Sequence, residues 1–416
     1  MNWFIVVYLF FFIYTPLILP INVLHILSLF SGVAIFFKYN KQIVRVFKKS
    51  KLINVFIIFF IAFFYLLILI WVTSGKFLLI YNYFMIAFEV TICSLYIILY
   101  FNSGGYGYYY LLKMILVAGL IQSLISIAAF IFPQLQNAIA NLFIKNGLSD
   151  VIFKFSYYRF YGFSSNLTST APLTQSVIAI IAVVLGISKN KKYFLFLPFL
   201  LFSTIINSRT SIIVFGLGLI VIMLVPIGQL NIKRIISNAL VFVLGLFIFK
   251  ILLNIIESNA VNTYNWVING LGEIGYFLTG NSIGYFDVLI NKMIIFPEGF
   301  GLLFGKGVSL FGIEKGSSDV GFINSLWIGG LLLTVLVYGG LLTFYVYPIK
   351  YKDTIIKCIS LTIVLAFLVA NIKGSTISVN EFANLSILIT SMMIFSSEGL
   401  SNMAVSKHKI KWKENM

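Results

Sequence analysis

The amino-acid sequence predicts an all-α integral membrane protein with about twelve transmembrane helices, both termini in the cytoplasm and two long outer loops. Hydrophobic residues make up 60% of its 416 residues and charged residues only 10%, whereas soluble domains carry about 25% charged residues. Apolar runs of roughly 15–25 residues recur along the whole chain between short charged breaks, as spanning helices require. Lysine and arginine are concentrated in alternate breaks, which is typical of a chain that crosses the membrane repeatedly.

The apolar runs fall into three groups. Spans one to five occupy residues 1–132, spans six to nine 171–256 and spans ten to twelve 326–397, and a basic cytoplasmic tail follows at 398–416. The first run lacks a basic leading segment and a cleavage site, so we interpret it as a span and not as a cleavable signal peptide. The twelve spans are predicted at 3–20, 21–37, 52–72, 77–101, 114–132, 171–188, 193–207, 211–228, 235–256, 326–348, 358–372 and 382–397.

The basic breaks predict the orientation of the chain. The break at 38–51, KYNKQIVRVFKKSK, is strongly basic and is therefore expected in the cytoplasm. The later basic breaks at 188–192, 231–234 and 349–357 then fall on the same side. Orientation and contact with anionic lipid headgroups explain the formal net charge of +17, and no nucleic-acid partner is predicted. The two histidines and two cysteines do not form a metal-ligand pattern, so no metal is expected.

Two outer segments are long enough to carry function, at 133–170 and 257–325. Each contains an apolar stripe with helical spacing, which predicts an amphipathic helix suited to the membrane surface. The stripe in the first segment consists of Leu135, Ala138, Ile139, Leu142 and Phe143. The stripe in the second consists of Tyr285, Phe286, Leu289, Ile290, Met293 and Ile294.

Arginine is rare in this chain, and its positions are informative. Only four of the 29 basic residues are arginine; Arg45 and Arg234 lie among cytoplasmic lysines, whereas Arg159 and Arg209 are predicted on the outer side. Arg209 lies in a turn of two or three residues between short spans, which holds it near the membrane surface. A guanidinium group matches phosphate oxygens bidentately, so the pair suits a lipid-linked phosphate or pyrophosphate. Alternatively, both side chains reach lipid headgroups or pair with a loop acid such as Asp150.

Several segments of the chain, taken in order, resemble Wzy-type O-antigen polymerases, members of the superfamily that also contains the O-antigen ligases. The resemblance rests on RFYGFSSN in an outer loop, SRTS opening a span, LFGKGVSLFG, and SSDVGFINSLWIGGLLLTVLVYGGLL. Residues 1–130 add only hydropathy and topology. The resemblance implies a glycosyltransferase of the bacterial inner membrane that needs neither metal nor other cofactor. It would polymerise oligosaccharide repeat units carried on undecaprenyl pyrophosphate, and a chain-length regulator protein is an expected partner.

The resemblance also implies roles for individual residues. Arg159 and Arg209 match the arginines of the family and would hold the pyrophosphate as negative charge develops. A base is needed for the acceptor hydroxyl, and Asp319 stands where ligases often carry histidine. The absence of that histidine favours polymerase over ligase. Asp319 alternatively caps the helix of the tenth span, and four other loop acids are rival bases: Glu273, Asp287, Glu298 and Glu314.

Other features leave alternatives open. Tyr158 and Tyr161 stack on sugars or anchor the loop at the interface. Glu89 and Lys250 lie within spans and are functional hypotheses by default, although lysine can also snorkel. The glycine pairs at 329–330 and 339–340 favour close helix packing. Besides the ligase, a flippase of lipid-linked oligosaccharides is a competing function, which the long second loop and the few intramembrane charges disfavour.

Overall fold

The computed structural model describes residues 2–73, 78–146, 159–164, 170–225, 232–279, 285–311, 317–374 and 376–414. All regular structure in these ranges is helical, which confirms the all-α class. The α-helices are α1 (Trp3–Tyr14), α2 (Val23–Lys38), α3 (Ile43–Lys49), α4 (Leu52–Thr73), α5 (Leu78–Met85), α6 (Thr91–Ser103), α7 (Tyr108–Ile131), α8 (Pro133–Lys145), α9 (Thr170–Ser188), α10 (Leu197–Ile205), α11 (Arg209–Leu224), α12 (Ile232–Asn259), α13 (Val261–Leu278), α14 (Tyr285–Lys292), α15 (Phe300–Phe304), α16 (Gly321–Thr334), α17 (Gly340–Val346), α18 (Thr354–Lys373) and α19 (Glu381–Glu414).

Within the described residues, six helical segments are long and apolar enough to cross a membrane. A seventh is counted if Val23–Lys38 and Asn40–Lys49, which meet at 89°, form one broken span. Helices α1 and α11 are apolar but shorter. The chain is therefore an all-helical, multi-pass membrane protein, while the count of twelve spans and their orientation stay predictions. The six segments are Leu52–Thr73, Ile80–Ser103, Tyr108–Ile131, Thr170–Ser188, Gly321–Lys350 and Thr354–Lys373.

Helix α9 lies at the centre of the fold, in contact with α7, α10, α11, α18 and α19. Its side chains are apolar on all faces and almost all are buried, as expected of a helix surrounded by others. Two of its polar residues bind neighbouring helices: Gln175 Nε2 donates to the Gly119 carbonyl at 3.3 Å, and Ser176 Oγ donates to the Ser211 carbonyl at 2.6 Å. These bonds join α9 to α7 and to the first turn of α11, where Arg209 lies.

The glycine pair at 329–330 allows a short helix to pack closely, as the sequence predicts. Helix α16 is kinked at Gly330, which has φ of +67°, and α15 fits against the kink. A Cβ on Gly330 would lie 2.3 Å from the Leu303 carbonyl oxygen, so no larger residue fits there. The backbone N–H of Lys306 donates to the Trp327 carbonyl at 2.8 Å, which satisfies a carbonyl near the kink.

The first amphipathic stripe lies wholly on a helix, whereas the second is only partly helical, because α14 ends at Lys292 and Met293 and Ile294 follow it. Helix α8 buries Ile139 and Phe143 of the first stripe. Helix α14 buries Leu289 against α16. The sequence analysis did not foresee α13, an 18-residue helix within 257–325 that packs against α11 and α12. Helix α13 is decisive for the site because it lies beside Arg209.

Candidate functional site

The site is built around the turn between α10 and α11. Helix α10 ends at Ile205 and α11 begins at Arg209, in agreement with the predicted short turn. Ser208 caps α11, since its Oγ accepts a hydrogen bond from the Ser211 N–H at 3.3 Å. Arg209 is therefore the first residue of a capped helix, and its backbone position is determined by secondary structure.

Asn207 joins this turn to the segment that carries Arg159. Asn207 Oδ1 accepts from the Phe160 N–H at 2.6 Å, and its Nδ2 donates to the Phe160 carbonyl at 2.9 Å. The same Nδ2 donates to the Ser203 carbonyl at 2.8 Å. One buried amide thus binds both polar backbone groups of the residue that follows Arg159. Because Asn207 also lies two residues before Arg209, it sets the position of the two arginines relative to each other.

The segment 159–164 is held from two further directions. Gln122 Nε2 of α7 donates to the Tyr161 carbonyl at 2.6 Å. At the other end, Ser164 Oγ donates to Glu381, whose carboxylate also accepts from Thr170 Oγ1 at 2.8 Å. Glu381 is fully buried, and a buried carboxylate requires such donors. The segment is thereby attached to the core of the helix bundle.

Both arginines lie over the same indole ring. The guanidinium carbon of Arg159 is 5.0 Å from the ring centroid of Trp266 on α13, and that of Arg209 is 4.7 Å from it. Both distances are within the range of cation–π attraction. Because each carbon lies so close to one point, no more than about 10 Å separates the two charges. The two arginines singled out in the sequence therefore lie close together in the structure.

Helix α13 contributes two more residues that contact Arg209. Gly270 allows the Arg209 side chain to pack directly against α13, because a Cβ at position 270 would clash with it, lying 1.9 Å from Arg209 Cδ and 2.1 Å from Nε. Glu273 lies one turn further on, with Oε2 3.8 Å from Arg209 Nη1. The Arg209 Nε is buried and has no hydrogen-bond partner among the described residues. Glu273, predicted as a rival base, is thus placed as an ion-pair partner of Arg209.

Lys373 and Asp319 complete a charged cluster. Lys373, the last residue of α18, interacts electrostatically with Arg159, Arg209, Glu273 and Asp319. Asp319 and Lys373 lie just before and at the end of two helices that approach closely, since a Cβ on Gly321 of α16 would lie 1.9 Å from the carbonyl oxygen of Gly374, the residue after α18. We call these three cations and two carboxylates the charged cluster.

Asp319 does not cap α16. The N-cap position belongs to Val320, which has no capping side chain, and Ser318 Oγ accepts from the Val320 N–H at 3.2 Å. The alternative interpretation of Asp319 as a helix cap is therefore wrong.

Tyr161 supports Arg159. It is only 4% exposed, and its hydroxyl accepts a hydrogen bond from Arg159 Nη1 at 2.9 Å. Burial raises the pKa of this phenol and the charge of Arg159 opposes the rise. The buried ring has no open face for a sugar, so within the described residues Tyr161 acts as a support for the Arg159 side chain. Tyr158, the other candidate for sugar contact, lies outside the described residues.

The remaining candidate residues lie elsewhere or make other contacts. Asp287 accepts a hydrogen bond from Asn291 Nδ2 at 2.6 Å within α14. Glu298 is exposed, and Glu314 lies outside the described residues. Lys250 is exposed on α12, which agrees with a snorkelling lysine.

Glu89 has local partners within the bundle. Its Oε1 lies 2.6 Å from His25 Nδ1, and His25 Nε2 lies 2.5 Å from the Tyr81 hydroxyl. Glu89 belongs to a π-helical turn at Ile86–Val90, a feature that is frequent at functional sites. The intramembrane acid therefore joins a three-residue hydrogen-bonded chain.

Sequence reasoning missed five residues of the site. Trp266 is one of only five tryptophans, and its place in an outer segment was the one available signal. Asn207 lies in the turn that precedes Arg209, but an asparagine in a turn has an ordinary local explanation. No local pattern marks the other three, because their roles depend on contacts between distant helices. The five are Asn207, Trp266, Gly270, Lys373 and Glu381.

The fold and this site define a class: an all-helical, multi-pass membrane protein with a charged cluster beside a tryptophan at one end of its bundle. Clustered guanidinium groups can bind a phosphate or pyrophosphate, and the nearby carboxylates can accept a proton. Comparison with protein-family models, curated proteins and solved structures finds no match to this chain.

Proposed function

We propose that this protein is a membrane glycosyltransferase that polymerises oligosaccharide repeat units carried on undecaprenyl pyrophosphate, at the outer face of a bacterial inner membrane. The observation that carries the proposal is the placement of Arg159 and Arg209 over Trp266. Two unit charges 10 Å apart repel each other by about 1.7 kcal/mol at an effective dielectric constant of 20. A site that holds two such groups together is suited to an anion with more than one charge.

The reaction follows from the roles of these side chains. An acceptor hydroxyl oxygen attacks the anomeric carbon of the growing glycan and forms the new glycosidic bond. The bond from that carbon to the pyrophosphate breaks, and its electron pair leaves on the lipid pyrophosphate. Arg159 and Arg209 stabilise the charge that develops on the leaving group. Asp319 takes the proton of the acceptor hydroxyl as general base.

Trp266 and Asn207 are positioning residues in this scheme. The indole provides a flat surface that restricts both guanidinium groups, and the asparagine links their backbones. Pre-organisation of this kind lowers the reorganisation required when charge develops. Glu273 offsets part of the positive charge while no substrate is bound.

The test is a deletion strain analysed by the banding pattern of its lipopolysaccharide. The expected deletion phenotype is core bearing one repeat unit, and the wild-type gene restores the full ladder. Arg159→Lys and Arg209→Lys keep the charge but lose the bidentate fork, so we expect polymerisation to fall by about 10²-fold at normal membrane levels. Arg45→Lys, an exposed site on α3, is the matched control and restores the ladder.

Two results would contradict the proposal in different ways. Core without any repeat unit in the deletion strain indicates a ligase or a flippase and refutes polymerase activity. A full ladder from both lysine variants retains the polymerase but removes the bidentate role of the arginines.

A further inference from the structure

A large cavity lies between α7, α8, α10 and α12. Its volume is about 1140 Å³, and four phenylalanines contribute to its wall. Among the described residues that line it, none is charged, and the polar ones are all amides. The phenylalanines are Phe130, Phe160, Phe199 and Phe202, and the amides are Gln136, Asn137, Asn141 and Asn259.

The wall changes from apolar to polar along the helix axes. On α12 the lining residues are Leu252, Ile255 and Asn259, spaced so that one face of the helix points into the cavity. At 1.5 Å per residue this face extends about 10 Å, from leucine at the deeper end to asparagine at the last residue of the helix. Helix α8 contributes the other three amides of the wall. The cavity therefore suits an uncharged apolar chain that carries a polar group at one end.

The cavity adjoins the charged cluster. Phe160 belongs to its wall and follows Arg159 directly in the chain. Gln136, another lining residue, donates from Nε2 to the Arg159 carbonyl at 3.2 Å. Asn207 binds the backbone of Phe160 and precedes Arg209 by two residues. An apolar chain in the cavity would thus end beside both guanidinium groups.

We propose that this cavity holds the polyisoprenyl chain of the lipid-linked substrate and presents its pyrophosphate to Arg159 and Arg209. The inference rests on the proposed function and names the lipid site within it. Because none of the described lining residues is charged, the cavity cannot stabilise phosphate groups, and these bind the two arginines instead. The apolar chain of the ligand then occupies the cavity. Lipid acyl chains are as apolar as this wall, so the cavity contributes orientation and shape selection more than hydrophobic affinity.

Two isoleucines of α12 provide a matched pair of variants. Ile255 lines the cavity and Ile251 does not, although both are 42% exposed. Ile255→Trp fills the cavity, and Ile251→Trp adds the same bulk one turn away. The purified protein in lipid nanodiscs receives two substrates, a repeat unit on a full-length polyisoprenyl pyrophosphate and one on a two-isoprene analogue.

We expect Ile255→Trp to raise KM about tenfold for the long-chain substrate and to leave KM for the short-chain analogue unchanged. Ile251→Trp should change neither value. Equal effects of Ile255→Trp on both substrates, or the same effect from Ile251→Trp, would overturn the inference.

A second measurement needs neither variant nor turnover. A polyisoprenyl pyrophosphate with a diazirine near the end of its chain is photo-crosslinked to the wild-type protein, and the labelled peptides are identified by mass spectrometry. Labelling of α10 and α12 around Phe199 and Leu252, competed by unlabelled polyisoprenyl pyrophosphate, supports the lipid site. Labelling confined to other helices overturns it. If the protein binds the probe in the cavity but never extends a glycan, the proposed function fails while the lipid site stands.

Discussion

The space that Gly270 leaves for Arg209 gives the sharpest test of the site. In Gly270→Ala the new Cβ would lie 1.9 Å from Arg209 Cδ, whereas ordinary contacts begin at 3.4 Å. The arginine side chain must therefore retreat by about 1.5 Å, the difference between these two distances. Displacement of a catalytic group by about 1 Å can lower a rate by about 10²-fold. We expect the polymerisation rate of Gly270→Ala to fall by about that factor.

The same helix supplies the control. A Cβ on Gly272 or Gly275 would meet no atom of the described residues within 4 Å, so Gly272→Ala and Gly275→Ala leave Arg209 in place. All three substitutions replace glycine inside α13 and should each favour the helix by up to about 1 kcal/mol. Loss of activity in Gly270→Ala alone therefore separates a positional effect from an effect on folding.

The assay measures glycan chain length made by purified protein in nanodiscs from a lipid-linked repeat unit, together with thermal unfolding of each variant. Activity of Gly270→Ala equal to that of Gly272→Ala would refute the argument, because Arg209 would then work from a different position. Loss in all three variants would show that α13 tolerates no added side chain and that the rate carries no information on Arg209.

Four other substitutions test the surrounding contacts. Asn207→Leu leaves the backbone of Phe160 without its partners and should lower the free energy of unfolding by about 2 kcal/mol together with the polymerisation rate; a stable, fully active variant would contradict the linking role. Trp266→Leu removes two cation–π contacts and should weaken binding of polyisoprenyl pyrophosphate about tenfold, whereas Trp266→Phe should lose less; equal losses would argue against the aromatic face. Glu273→Gln removes the ion-pair partner of Arg209, so the same ligand should bind about threefold more tightly, and weaker binding in calorimetry would refute this. Glu381→Gln weakens two hydrogen bonds to a buried carboxylate and should cost about 2 kcal/mol in thermal unfolding; an unchanged unfolding temperature would show that the segment 159–164 is held by other contacts.

Local features of the fold could be predicted from the sequence because each depends on a short stretch of chain. The helical class follows from runs of apolar residues, since a backbone within lipid must satisfy its own hydrogen bonds. The turn before Arg209 and the helix that carries the stripe at 135–143 were also predicted correctly, because each depends only on the order of residues within a short stretch of chain. The close packing at Gly330 was also anticipated, because small residues at a helix interface allow backbones to approach.

Other features depend on partners that are distant in sequence. Helix α13 contains polar residues and glycines at intervals, so its hydropathy does not distinguish it from a loop. Tyr161 is an aromatic residue of the kind that can stack on sugars, yet its ring is buried and its hydroxyl accepts a hydrogen bond from Arg159. The capping role of Asp319 was a reasonable local prediction, and the start of α16 one residue beyond Val320 excludes it.

The sequence by itself determined that the chain is an all-helical membrane protein and that two arginines stand apart from its lysines. Only the tertiary structure decided that these arginines share one indole ring, that Gly270 makes room for one of them, and that Lys373 interacts with both of them and with Asp319. The physical reason is that hydropathy acts on each segment separately, through the solvent around it. The site depends instead on side chains from five separate parts of the chain, and their meeting is decided by how the helices pack.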